Sequence, residues 1–314
     1  MRRNLPYAQI TGIRPEVTSA RVAIRAELRS SPDRLMKIWN SLEDVPAETG
    51  QTVVSLGCFD GVHRGHQLLL ARLLNAAETN AAKSVVVTFD PLPAQLLYPE
   101  TAPLAVMALE DRLAALEVEG VDAVLVIRYT RDVAAQAAEV FVEKVFVKTL
   151  HAAAVVVGED CRFGQGRAGN IETLRAAGLR WSFDVSVLGD RTAGGTEGRR
   201  YSSTWVREVL SSGDVGIAEQ ILGRPHRIRM EVTRAAGSWR TKARAVQGML
   251  PASGDYAGWA RVGSGERIPA IIRIPRRASL ATDITVELQM PADRYAEKSP
   301  GMSRKISFDF SSTS

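Results

Sequence analysis

Four unbroken apolar runs, TVVSLG (52–57), SVVVTF (84–89), DAVLVI (122–127) and AAVVVG (153–158), recur through the first half of the chain. A strand with one wet face alternates apolar and polar residues, so continuous β-branched runs belong to strands covered on both faces of a parallel sheet. The stretches between them have helical spacing: HQLLLARLLNAAETNAA (66–82), LEDRLAALEVEG (109–120) and AAEVFVEKVFVKTL (137–150). Alternating strand and helix predicts an α/β doubly wound domain. In such a domain ligands bind beyond the carboxyl ends of the strands, where helix N-termini present free N–H groups.

The first of these junctions reads LGCFDGVHRGH (56–66) and carries two of the chain's four histidines. Gly57, Gly61 and Gly65 let the backbone turn tightly and approach a ligand. His66 stands at the mouth of the following helix, with His63 one turn before it. Two imidazole N–H groups there can clamp a phosphoryl oxygen as negative charge builds. A second anion site is expected at SSTWVREVL (202–210), where Ser202, Ser203 and Thr204 precede a helix and Arg207 lies one turn inside it. An ordinary N-cap is the plainer reading of Ser-Ser-Thr taken alone.

At 314 residues and 45% hydrophobic content, the chain is long enough for two domains. No apolar run approaches the roughly 20 residues of a membrane span, and a cytoplasmic protein is expected. Two cysteines, Cys58 and Cys161, are too few for a disulfide framework or a structural zinc site. The net charge of +5 is uneven: +4 over residues 1–35, −6 over 36–224 and +7 over 225–314. The arginines at the two ends are scattered and lack interleaved aromatics, which argues against nucleic acid as a partner. Residues 1–35 read as a poorly ordered extension, with Met36 a candidate start.

The loop LGCFDGVHRGHQ resembles the H-x-G-H loop of nucleotidyltransferases. Its F-D-G-V-H-x-G-H form resembles the adenylyltransferase module of the prokaryotic bifunctional riboflavin kinase/FAD synthetase family. Further blocks resemble that module in order: MKIWNSLEDVPAE (36–48), VVVTFDPLP (85–93), VLVIRYTRD (124–132), VVVGEDCRFGQGRAGN (155–170), SSTWVREVLSSGDV (202–215) and AEQILGRPH (218–226). The resemblance implies a Rossmann-like nucleotidyltransferase domain over 36–224 that transfers AMP from ATP to FMN, with Mg²⁺ bridging the phosphates. It implies catalytic roles for His63, His66 and Arg207. Nucleotide contacts are implied at Gly57, Phe59, Asp60, Gly61, Gly65, Gly158, Asp160, Arg162, Phe163, Ser203 and Thr204. Acceptor contacts are implied at Asp90, Pro91, Leu92, Leu97 and Cys161, and no protein metal ligand is assigned. Because a phosphate monoester is already ionised at neutral pH, such a transfer needs positioning and charge neutralisation more than a strong base.

Departures from the family fall in two places. Leu92 stands where the family commonly has histidine, Leu97 where an aromatic often lines the flavin site, and Cys161 where an aromatic is usual, which together allow an altered acceptor. A different phosphorylated acceptor, a modified flavin, or a noncatalytic binding protein are the alternatives. Beyond residue 225 the family carries a β-barrel riboflavin kinase marked by P-T-A-N, and no P-T-A-N occurs in this chain. MLPASGDYAGWARV (249–262) and ITVELQM (284–290) still resemble its strands, while RIPRRASLATD (273–283) replaces a later catalytic block. The expectation for 225–314 is a small, truncated β-barrel-like domain without kinase activity, ending in a flexible tail from 298.

Overall fold

The protein is described by a computed structural model over residues 35–189, 198–235, 238–263, 265–276, 285–289 and 303–311. The extension expected over 1–35 lies outside the described residues except for Leu35. In chain order the first part comprises β1 (Lys37–Trp39), β2 (Thr52–Leu56), α1 (Arg64–Thr79), β3 (Lys83–Asp90), α2 (Pro93–Leu97), α3 (Leu109–Val118) and β4 (Ala123–Arg128). It continues with α4 (Arg131–Ala134), α5 (Ala138–Phe141), β5 (Ala152–Gly158), α6 (Ile171–Trp181), β6 (Asp184–Leu188), α7 (Ser203–Ser212) and α8 (Val215–Leu222). The six strands form one sheet in the order β1-β4-β3-β2-β5-β6, and every pairing is parallel. The chain moves from β2 to β3 on one side and returns to β5 on the other, so a crevice opens at the carboxyl end of β2.

The apolar runs are continuous because both faces of the sheet are buried. Val85, Val87 and Phe89 of β3 point into one core with Leu125 and Val155, whereas Val86 points into the other with Val53, Val124 and Leu70. Sequence reasoning missed the two edge strands, β1 and β6, which are short and lack a full apolar run. The helix expected over 137–150 starts as α5 and widens into π-helical turns over Val142–Thr149, burying Phe141, Val142, Val145 and Phe146.

After α8 the chain forms β7 (Arg227–Ala235), β8 (Ser238–Lys242), β9 (Gly254–Val262), β10 (Arg267–Ile274), β11 (Thr285–Gln289) and β12 (Ser303–Phe310). These close into an antiparallel barrel in the order β10-β11-β8-β7-β12-β9. The flexible tail expected from 298 is therefore wrong over Ser303–Phe310, which pairs with both β7 and β9. The signal was present in the period-two pattern of KISFDF, which sends Ile306, Phe308 and Phe310 into the barrel core. Gly258 sits against this strand: a Cβ there would lie 2.7 Å from the Phe308 ring and would also meet the Asp309 carbonyl. Gly258→Ala is expected to destabilise the fold by about 1–3 kcal/mol, read as a lower urea midpoint.

Candidate active site

His63 has extended backbone and caps α1, its Nδ1 accepting from the His66 N–H at 3.4 Å. That bond fixes the His63 proton on Nε2 and leaves Nε2–H as a donor. The His66 ring stacks on His63 with centroids 3.7 Å apart and planes 19° apart, and Phe59 stands 5.1 Å from it. Gly65 permits the fold-back, because a Cβ there would come within 3.1 Å of His63 Nδ1 and 3.3 Å of Tyr201 Cβ. Burial, and secondarily the positive charge of Arg200, drives the His63 pKa down to about 4. Burial and the neighbouring His63 ring hold His66 well below its ordinary value. Both imidazoles are thus neutral at pH 7 and offer N–H donors rather than positive charge.

His226 in the barrel is depressed in the same way, to about 4, chiefly by burial, with its Nε2–H donating to the Met249 carbonyl at 2.7 Å. A histidine neutral in the fold and near 6.5 in the unfolded chain stabilises fully above that value. The contribution is lost as pH falls toward the folded pKa. Between pH 7 and 5, His63 and His226 are each expected to remove about 2 kcal/mol of stability. Urea melts at the two pH values check this, and His226→Gln should remove its share of the difference.

The imidazole pair opens on a cavity of about 640 Å³ lined also by Gly57, Phe59, Gly65, Gly158, Asp160, Arg162, Phe163, Ser203 and Thr204. Ser202 Oγ caps α7 by accepting from Trp205 N–H at 3.1 Å, so the plainer N-cap reading holds for that residue. Ser203 donates its hydroxyl to the Asp60 carbonyl at 2.7 Å, tying α7 to the histidine loop. The N-termini of α1 and α7 therefore converge on one space, each with free N–H groups and a positive dipole end. An aromatic run borders it, Tyr129 to Phe89 at 5.3 Å, Phe89 to Phe141 at 6.4 Å and Phe141 to Phe163 at 6.1 Å.

Several expected residues stand elsewhere. Arg207 does not line the cavity: its Nη2 meets Asp60 Oδ2 at 2.5 Å and its Nε donates to the Leu104 carbonyl at 2.7 Å. Asp60 is buried behind the loop and also accepts from Val106 N–H, and the Gly61 carbonyl accepts from Arg224 at 2.6 Å. The physical reason is that a buried carboxylate needs charge and N–H partners, and Arg207 supplies the charge. Leu97 and Cys161 line the cavity, whereas Asp90, Pro91 and Leu92 do not. Leu92 is buried at the start of α2, so the missing histidine changes no cavity wall. Burial, reinforced by Asp160, pushes the Cys161 thiol up to about 12, so it is protonated and inert.

Sequence reasoning missed Arg200, Tyr98 and Tyr129, which all line the cavity. Arg200 pairs with Asp160 at 2.5 Å, 40 residues away. Tyr98 supplies an aromatic one position after Leu97. Among the described residues, no cluster of three or more His, Cys, Asp or Glu is placed to hold a metal ion, and no helix is long and apolar enough to cross a membrane.

The family model described as FAD synthetase matches residues 45–204. A Haemophilus influenzae bifunctional riboflavin kinase/FMN adenylyltransferase is 33% identical over 233 residues, covering 72% of this chain and 75% of its own. A Pseudomonas fluorescens protein of the same description is 33% identical over 261 residues, covering 81% and 82%. The crystal structure of a Streptococcus pneumoniae protein described as a macrolide-efflux protein shares the fold, with a TM-score of 0.71 at 22% identity over 88% of this chain and 89% of that one. The matched residues span the histidine loop and reach Ser203 and Thr204 at the start of α7, and the chain belongs to the bifunctional riboflavin kinase/FMN adenylyltransferase family.

Proposed function

We propose that the protein is an FMN adenylyltransferase that makes FAD and pyrophosphate from FMN and ATP. The observation that carries the reading is the convergence of two helix N-termini and a neutral, stacked imidazole pair on one cavity. An oxygen of the FMN phosphate attacks the α phosphorus of ATP in line. The new P–O bond forms as the bond to the bridging oxygen of the β phosphate breaks, and pyrophosphate leaves. His63 Nε2–H and a ring N–H of His66 donate to oxygens whose charge grows in the transition state. The N-terminus of α7 receives the leaving phosphates, and the aromatic run with Tyr98 offers stacking surface for a flavin ring.

Asp160 is the carboxylate lining the cavity among the described residues, and it is already paired with Arg200. That donor set fits Mg²⁺ carried mainly by substrate phosphates, where the ion neutralises their charge, rather than a protein cage. Residues 36–224 are proposed to form the transferase unit and 225–314 a second unit without kinase activity, since P-T-A-N is absent. Purified protein with Mg²⁺, ATP and FMN is expected to yield FAD and pyrophosphate, and with riboflavin to yield neither FMN nor FAD. Absence of both products from FMN would overturn the reading. Leu97 and Cys161 in the cavity wall favour, as a second reading, another phosphorylated acceptor, which the same pyrophosphate assay detects across candidate phosphate monoesters.

A further inference from the structure

Residues 106–112, which lead into and begin α3, are gripped from two sides. On the site side, Val106 N–H donates to both carboxylate oxygens of Asp60 at 2.9 and 3.0 Å. Arg112 crosses to the ends of two strands, its Nη1 donating to the Cys58 carbonyl and its Nη2 to the Phe89 carbonyl, each at 2.9 Å. Cys58 and Phe89 both line the cavity, and Cys58 opens the loop that carries His63. On the barrel side, Met249 N–H donates to the Val106 carbonyl at 3.2 Å. Arg229 of β7 grips Asp111 with two bonds of 2.7 and 2.8 Å, and Arg227 stands 3.6 Å from the same carboxylate. Asp111 and Arg112 are adjacent and each only 3% exposed. One points to the barrel and the other to the site.

A buried guanidinium is costly to desolvate, and Arg112 also leaves its Nε without a hydrogen-bond partner. Two aliphatic residues would pack α3 against the sheet at less cost. What the guanidinium adds is a rigid planar fork that fixes the separation of two carbonyls, one in β3 and one just past the end of β2. One of those carbonyls sets the start of the histidine loop. We propose that residues 106–112 are a strut through which the barrel holds the 57–66 loop in its reactive conformation, with Arg112 as the positioning residue. This rests on the transferase reading for its kinetic effect but not for its mechanical one. A barrel without kinase activity would then serve as a brace for the transferase.

The test uses the full chain and reads hydrogen exchange in peptides covering 56–66 and 106–112, alongside kcat and KM for ATP and FMN. Asp111→Asn removes the charge that Arg229 grips. It is expected to speed exchange about tenfold in both peptides and to lower kcat about tenfold with KM little changed. Arg112→Met should do the same more strongly in 56–66, and Arg112→Lys, which reaches one carbonyl at a time, should recover part of the loss. Arg273→Gln, which breaks the exposed pair with Asp255 inside the barrel, is the control and should change neither peptide. Faster exchange in 106–112 with 56–66 and kcat unmoved would overturn the strut. The exchange arm decides the coupling even if FMN is not the acceptor, and a wild-type protein inactive on FMN would count against the transferase reading alone.

Discussion

His66→Ala is expected to lower kcat for FAD formation by about 10²–10³-fold, the usual cost of losing one preorganised transition-state donor. KM for FMN should change little, since the imidazole acts on charge that grows at the α phosphate and not on the flavin. His66→Asn, which restores a side-chain N–H near the same place, should recover part of the rate. Because His63 is pulled down to about 4 and His66 lies well below its ordinary value, neither deprotonates between pH 6 and 8 in the free protein. kcat/KM should show no inflection from them across that range. A loss of less than about threefold in His66→Ala would remove the imidazole from the chemistry.

Arg207→Ala is expected to cost about 3–5 kcal/mol of stability, because it strips the charge partner from a buried carboxylate. The Asp60 side chain is 4% exposed, and burial already raises its pKa despite Arg207 and the Val106 N–H. Combining Arg207→Ala with Asp60→Asn should regain much of that loss, since the stranded charge is gone. Urea denaturation of the single and double variants measures the coupling. A phosphate-binding Arg207 gives the opposite signature, lost ATP affinity with stability unchanged. That outcome would return Arg207 to the anion site that its place one turn inside SSTWVREVL suggested.

The contrast between these two residues shows where sequence reading succeeds. His63 and His66 lie three positions apart, so their meeting is local: a helix start brings one ring over the other, and Gly65 makes room. The four inner strands were legible for a similar reason, since a strand buried on both faces writes its burial as an unbroken apolar run. The barrel's last strand was equally legible in KISFDF but was obscured by the Ser- and Lys-containing residues around it.

Other features depended on encounters between distant segments. Arg207 meets Asp60 across 147 positions, Arg229 meets Asp111 across 118, and Arg112 meets the Cys58 carbonyl across 54. Guanidinium groups are long and can satisfy a carboxylate, a phosphate or a carbonyl with equal chemistry. Sequence by itself determined the parallel sheet and the two helix starts, at His63 and at Ser202, that meet at the cavity, because each is a pattern within a dozen residues. Only the tertiary structure decided that Arg207 braces the histidine loop from behind and that the cavity's arginines include Arg200. The same is true of the barrel's closure onto the strut beside the site, because burial of a charge fixes its partner and burial is a property of the whole fold.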